Sequence, residues 1–251
     1  MQQRDKTAPK SIFRRIAGNW LAVGVGLALA TLIVGGEIAL HSTPKVIIGK
    51  NDEIYYYRRA TKEDALALGD ALKNIGFLND RGTSILLWMG GGPTIVSFVL
   101  NDGAWDHPHV ISNFTEVGRR VATSVGGFPI QVHLIDAGRN IRKKMTVGKA
   151  MVGTKDIVYY FGEATDPGAR ALGEALRSAG YFADRGATVA LLKGEGTVIS
   201  FVVQDGLWDQ PAAMATLDRL VRQIAPSVGG LPVELRLLDR TMDIKQSLTV
   251  Q

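Results

Sequence analysis

Residues 95–108 read IVSFVLNDGAWDHP, and residues 198–211 read VISFVVQDGLWDQP. The strings share Ser97-Phe98-Val99 with Ser200-Phe201-Val202. They also share Asp102-Gly103-x-Trp105-Asp106-x-Pro108 with Asp205-Gly206-x-Trp208-Asp209-x-Pro211. The correspondence continues outward. Upstream, Ala60-Thr61 returns as Ala164-Thr165, and Asp80-Arg81-Gly82 as Asp184-Arg185-Gly186. Downstream, Ser124-Val125-Gly126-Gly127-x-Pro129 returns as Ser227-Val228-Gly229-Gly230-x-Pro232, and Thr146-Val147 as Thr249-Val250. So many pairs in one register mark an internal duplication.

Each copy reads as the same unit. Glu53–Arg58 and Asp156–Phe161 are rich in β-formers. Thr61 and Thr165 are good helix N-caps, and Asp64 three residues after Thr61 suggests a capping box. Ala65, Leu68, Leu72 and Ile75 then recur at helical spacing, as do Ala169, Leu172, Leu176 and Ala179. Gly76 and Gly180 suit a C-cap. Thr83–Trp88 and Thr94–Leu100 form a hairpin around a glycine turn. A second helix runs from about His107 to Ser124, and Ile130–Ile135 is a last strand.

The order β-α-β-β-α-β is that of the ferredoxin-like split βαβ fold. The predicted class is therefore α+β, with two tandem ferredoxin-like units at 51–147 and 156–251, joined by a linker at 148–155. The strands Ile85–Trp88, Ile95–Leu100 and Val198–Val203 are apolar on both faces. A sheet covered by helices on one side only would alternate. The open faces are thus expected to be covered, most simply sheet against sheet about a pseudo-two-fold axis.

Ahead of this lies a different kind of segment. Residues 19–40, NWLAVGVGLALATLIVGGEIAL, carry one charge, Glu37. At ~1.5 Å per residue such a helix spans roughly 30 Å, a bilayer core. The prediction is a basic cytoplasmic tail at 1–18, a transmembrane helix at 19–41 and a short linker at 42–50. A cleaved signal peptide would need a small-x-small site after the run, which Ala39-Leu40-His41 does not supply. Arg4, Lys6, Lys10, Arg14 and Arg15 precede the run, so the positive-inside rule places the remainder outside the cytoplasm, with a bacterial inner membrane as the expected location. Gly18, Ala22, Gly26 and Ala30 form a small-residue stripe that would let two such helices associate.

Composition bounds the chemistry. The net charge of +5 resides mostly in the tail, since residues 42–251 carry 24 Lys+Arg against 22 Asp+Glu. A nearly neutral domain argues against nucleic acid. Tyr55–Tyr57 and Phe98 lie on strands as stacking aromatics would, but the third strand, TIVSFVL, lacks an RNA-binding signature. Without cysteine there is no disulfide, cysteine-ligated metal or thiol chemistry. His107 and His109 have Gln210 and Ala212 as counterparts and no acidic cluster beside them, so they read as solvated helix-start residues. Nothing needed by a nucleophilic or metal-assisted mechanism recurs in both copies. No cofactor is expected.

The candidate surfaces are those of binding. Trp105 and Trp208 read first as packing residues of a turn and cap, and second as a paired aromatic surface. Arg81 and Arg185 read as loop residues with a local ion pair, or as anion contacts. Arg139, Arg142, Lys143 and Lys144, with Lys149, read as a solvated linker, or as contacts for anionic lipid or an acidic partner. The function these features suggest is a single-pass, membrane-anchored, non-catalytic interaction or scaffold protein with a protein partner or a second copy. A small-molecule sensor holding ligand between the copies is the alternative, and an enzyme with an unfamiliar site the third.

Overall fold

The computed structural model describes residues 43–251. The tail, the apolar run at 19–41 and the stripe Gly18, Ala22, Gly26 and Ala30 lie outside them. The elements are β1 (Lys45–Ile48), β2 (Asp52–Arg58), α1 (Lys62–Asn74), β3 (Ser84–Met89), β4 (Thr94–Val99), α2 (Pro108–Val121), β5 (Ile130–Ile135), β6 (Ile141–Val152), β7 (Asp156–Gly162), α3 (Asp166–Ser178), β8 (Thr188–Lys193), β9 (Thr197–Val202), α4 (Pro211–Ile224), β10 (Val233–Leu238) and β11 (Ile244–Val250). All eleven strands belong to one mixed sheet in which each strand pairs with its neighbours in sequence.

One expectation is corrected, and the expected membrane span falls outside the described residues. Among the described residues no helix is long and apolar enough to cross a membrane. The α/β part is not two ferredoxin-like units stacked sheet on sheet, but a single continuous sheet. Residues 141–152, which include most of the basic stretch and part of the expected linker, form its longest strand.

Local structure follows from the residues. Thr61 accepts a hydrogen bond from the Asp64 amide and the Asp64 carboxylate accepts one from the Thr61 amide, closing a capping box at the start of α1. Leu68 and Leu72 of α1, like Leu172 and Leu176 of α3, are completely buried. Burying one such side chain stabilises by about 1.5–3 kcal/mol, so these faces dock the helices on the sheet.

The topology departs from the split βαβ pattern in strand order and in the hand of one crossover. β2 and β3 are parallel neighbours joined through α1, and β4 and β5 are parallel neighbours joined through α2. β3 and β4 are antiparallel, and α1 and α2 share one core on one face. With sequential strand order, the two crossovers then have opposite hands. The Glu53 side chain lies on the open face while its amide donates to Thr83 at the start of β3, 2.8 Å away. For L-residues this makes β2–α1–β3 the left-handed crossover. The usual right-handed preference favours the interleaved order instead.

β6 joins the halves. Met145 and Val147 belong to the first core, while Ala150 and Val152 belong to the second. The strand runs between them without a register shift against β7, and successive side chains point to opposite faces. Hence α1 and α2 cover one face of the sheet and α3 and α4 the other. The second half repeats the first after a shift of five strands and a half-turn about the axis crossing them. Gly148 marks the join: a Cβ there would stand 1.9 Å from the Tyr160 ring, so this close approach needs glycine.

Candidate interaction surface

Strand alternation places Tyr55 and Tyr57 of β2, and Leu86 and Trp88 of β3, on the face of the first half that no helix among the described residues covers. Trp88 is 37 % exposed. Its indole lies 6.3 Å from the Tyr57 ring, and the Arg58 guanidinium stands 4.9 Å from its centroid. Arg139, from the turn between β5 and β6, reaches across the same face. Its guanidinium is 5.8 Å from the Tyr55 ring and donates to the Tyr57 hydroxyl at 3.5 Å. Arg58, Arg59, Trp88, Gly90 and Gly91 line an open depression of about 500 Å³.

The electrostatics are simple. Lys45 and Glu53 form an ion pair at 2.6 Å, and the Tyr55 hydroxyl donates to the same carboxylate at 2.6 Å. Burial acts to raise the Glu53 pKa, but these bonds outweigh it and hold the group below its ordinary value. Burial, then Glu53, raises the Tyr55 phenol. At neutral pH the pair is therefore fully ionised and Tyr55 neutral, leaving Arg58, Arg59 and Arg139 as excess positive charge. Indole, phenol and guanidinium groups of this kind bind by area and by cation–π attraction. They are also the side chains that carry most binding energy in protein interfaces.

Arg58 also carries backbone strain. Its φ is 64°, and its counterpart in the second half is Gly162, with φ 69°. Left-handed backbone costs an ordinary residue about 1–2 kcal/mol. The first half thus holds a bulky cation where the second has the residue suited to the conformation.

The second half presents Tyr159, Phe161, Ala190 and Leu192 at the corresponding places, and these pack into the first core. Phe128, which follows α2, meets the Tyr159 ring edge-on at 5.8 Å, and Arg119 of α2 stands 5.5 Å over it. Met242, the counterpart of Arg139, packs into the same cluster. The face that is open in the first half is covered in the second by its neighbour.

The residues singled out from sequence fall in several places. Trp105 packs against the first core and Trp208 against the second. Arg142 covers Trp105 at 5.4 Å and pairs with Asp136 at 2.7 Å, while Lys245 covers Trp208 at 6.0 Å and pairs with Asp239 at 2.8 Å. Each indole is thus capped by an ion pair of its own half. Lys143 and Lys144 are exposed on β6, and Lys149 is half-buried further along it. Arg81 and Arg185 are exposed in loops held by buried carboxylates. Asp52 accepts from the amides of Asp80 and Thr83, both at 2.8 Å. Asp156 accepts from those of Asp184, Gly186 and Ala187 at 2.7–2.9 Å. The His107 and His109 rings stack 5.5 Å apart at the start of α2. Among the described residues no group of three or more His, Asp or Glu side chains could hold a metal.

Of the surface candidates read from sequence, Arg139 joins the aromatic cluster, where it meets Tyr55 and Tyr57, weighed from sequence as stacking aromatics. Arg58 and Trp88 were missed. The signal for them is the contrast between copies, Arg58 against Gly162 and Trp88 against Leu192. No protein-family model, curated protein or solved structure matches the chain.

Proposed function

We propose that this chain is a non-catalytic interaction protein that docks a protein partner on the open sheet face of its first half. The observation carrying this reading is the group Trp88, Arg58, Tyr57 and Arg139, left uncovered where the equivalent face of the second half is covered. Three guanidinium groups around exposed aromatics suit a partner that brings apolar area and acceptor groups together. The shallow, open form of the depression suits a broad contact rather than an enclosed ligand.

Photo-crosslinking in the cells that produce the protein tests this. Benzoylphenylalanine at position 88 should yield discrete protein adducts, and the same group at exposed Glu195, in the β8–β9 turn, should not. Arg58→Ala beside it should reduce the adducts at least fivefold without lowering the melting temperature. Equal labelling from both positions would sink the reading. A metabolite that raised the melting temperature by several degrees while position 88 gave no adduct would favour ligand binding instead.

A further inference from the structure

The chain contains one example of how such a face is covered: the junction between its own halves. There the first half supplies Phe128, Arg119 and Val147, and the second receives them with Tyr159, Phe161, Ala190 and Leu192. Both sides of that junction recur at opposite ends of the sheet. The supplying side recurs at the far end as Leu231 and Arg222, beside Val250, which is already buried in the second core. The receiving side recurs at the near end as Tyr55, Tyr57, Leu86 and Trp88.

Exposure separates this surface from incidental apolar exposure. Ile47 and its counterpart Met151 are both exposed, as are Ile141 and its counterpart Ile244. Such pairs are open whether or not a neighbouring half is present. Leu231 and Trp88 behave differently. They are 42 % and 37 % exposed, while their counterparts Phe128 and Leu192 pack against the first core at the junction. Arg222 is placed as Arg119 is: its side chain is half exposed and held by Asp218 at 2.8 Å, as Arg119 is held by Glu116 at 2.6 Å, and it also donates to the Gln251 carbonyl, a bond that docking would exchange. The receiving end carries Glu53 where the second half has Ile157, so an approaching Arg222 meets a carboxylate beside Lys45.

The geometry points to head-to-tail self-association: the β11 end of one copy, through Leu231 and Arg222, docks on the open β2–β3 face of the next, through Tyr55, Tyr57 and Trp88, repeating the internal junction. This rests on the reading of that face as an interaction surface and names a second copy as its occupant. The contact is heterologous, and such contacts form rings or open filaments. Sheet twist of about −20° per strand favours an open, twisted filament. Ten strand steps of about 4.8 Å give an axial repeat of roughly 48 Å per copy.

The absence of native cysteine makes the test clean. Full-length Tyr55→Cys and Leu231→Cys chains are treated with a short bismaleimide, alone and mixed. The mixture should give a crosslinked dimer, each variant alone should not, and a chain carrying both should give a ladder. Trp88→Ala and Leu231→Asp, both at exposed positions, should shift sedimentation of the otherwise unmodified chain to monomer with its melting temperature unchanged. Self-crosslinking of either variant would overturn the proposal, because it requires a symmetric contact. So would a mixture that stays uncrosslinked while the unmodified chain sediments as a monomer at tens of micromolar. In that last case, adducts from position 88 to a different protein would leave the interaction reading standing, and no adduct at all would remove both.

Discussion

Tyr57 and Phe161 hold the same place in the two halves and meet different surroundings. Phe161 is 8 % exposed in a cluster to which the first half contributes. Tyr57 is half-buried, beside an exposed indole and two guanidinium groups. The same strands in the same register give a core in one half and a surface in the other. What differs is whether another half lies alongside. A repeated unit of this kind cannot cover its own sheet face, and neighbours complete one another, as in other repeat architectures.

The sharpest way to break the likeness between halves is at the buried carboxylates. Asp156 accepts three backbone amides and Asp52 two. Replacing Asp156 by Ala should cost about 4 kcal/mol, because buried donors are left unpaired. Asp52→Ala should cost less, and urea denaturation of the two variants would rank them. Equal costs would show that the third amide contributes nothing.

A smaller effect is expected on the helices. Gly118 of α2 has Val221 of α4 as its counterpart, and a Cβ at Gly118 would stand 2.5 Å from a Val132 methyl. Gly118→Val should destabilise by about 2 kcal/mol through overpacking, although the second half carries that side chain without strain.

Acid sharpens the comparison of the capped tryptophans. Burial acts to raise the Asp239 pKa, but bonds from Lys245, Thr241 and the Asp243 amide bring it down to about 2. A carboxylate depressed in the folded state stabilises above its ordinary pKa, and that contribution is lost as pH falls from about 4 towards 2. The expected loss is about 2 kcal/mol, absent in Asp239→Asn. Asp136 is lowered too, by Asn140 first and Arg142 among the other causes, so its contribution has the same sign. Denaturation curves at pH 7 and pH 2 would check both.

The smallest effects fall on the proposed surface. Arg58→Gly should raise stability by up to about 1 kcal/mol by relieving left-handed backbone, while weakening partner binding. Gly162→Ala should lose about 1–2 kcal/mol, since its Cβ would stand 2.3 Å from the Lys193 carbonyl oxygen. Trp88→Ala should change stability by less than about 0.5 kcal/mol, as exposed positions usually do. A large loss there would mean that Trp88 is structural.

Much of each half was legible from residues alone, because the signals are local. The capping box of Thr61 and Asp64, the leucine faces of α1 and α3, the hairpin turn and β5 depend on contacts a few residues apart. Strand order depends on pairings between distant segments, which element order does not specify. The left-handed crossover through α1 runs against the general preference, and the β-α-β-β-α-β order taken by itself matched a different sheet. The basic residues 142–144 read as linker, although they lie at the exposed start of β6.

Sequence by itself determined the duplication, the helices, most of the strands and the apolar character of both sheet faces. All of these are carried by periodicity, caps and matching pairs. Only the tertiary structure decided that β6 serves both halves, that their helices lie on opposite faces, and that Phe128 covers Tyr159 while nothing among the described residues covers Trp88 in the same way. The reason is geometric: one continuous strand with alternating side chains hands the core from one face to the other, and that handover leaves each end of the sheet with half of a junction.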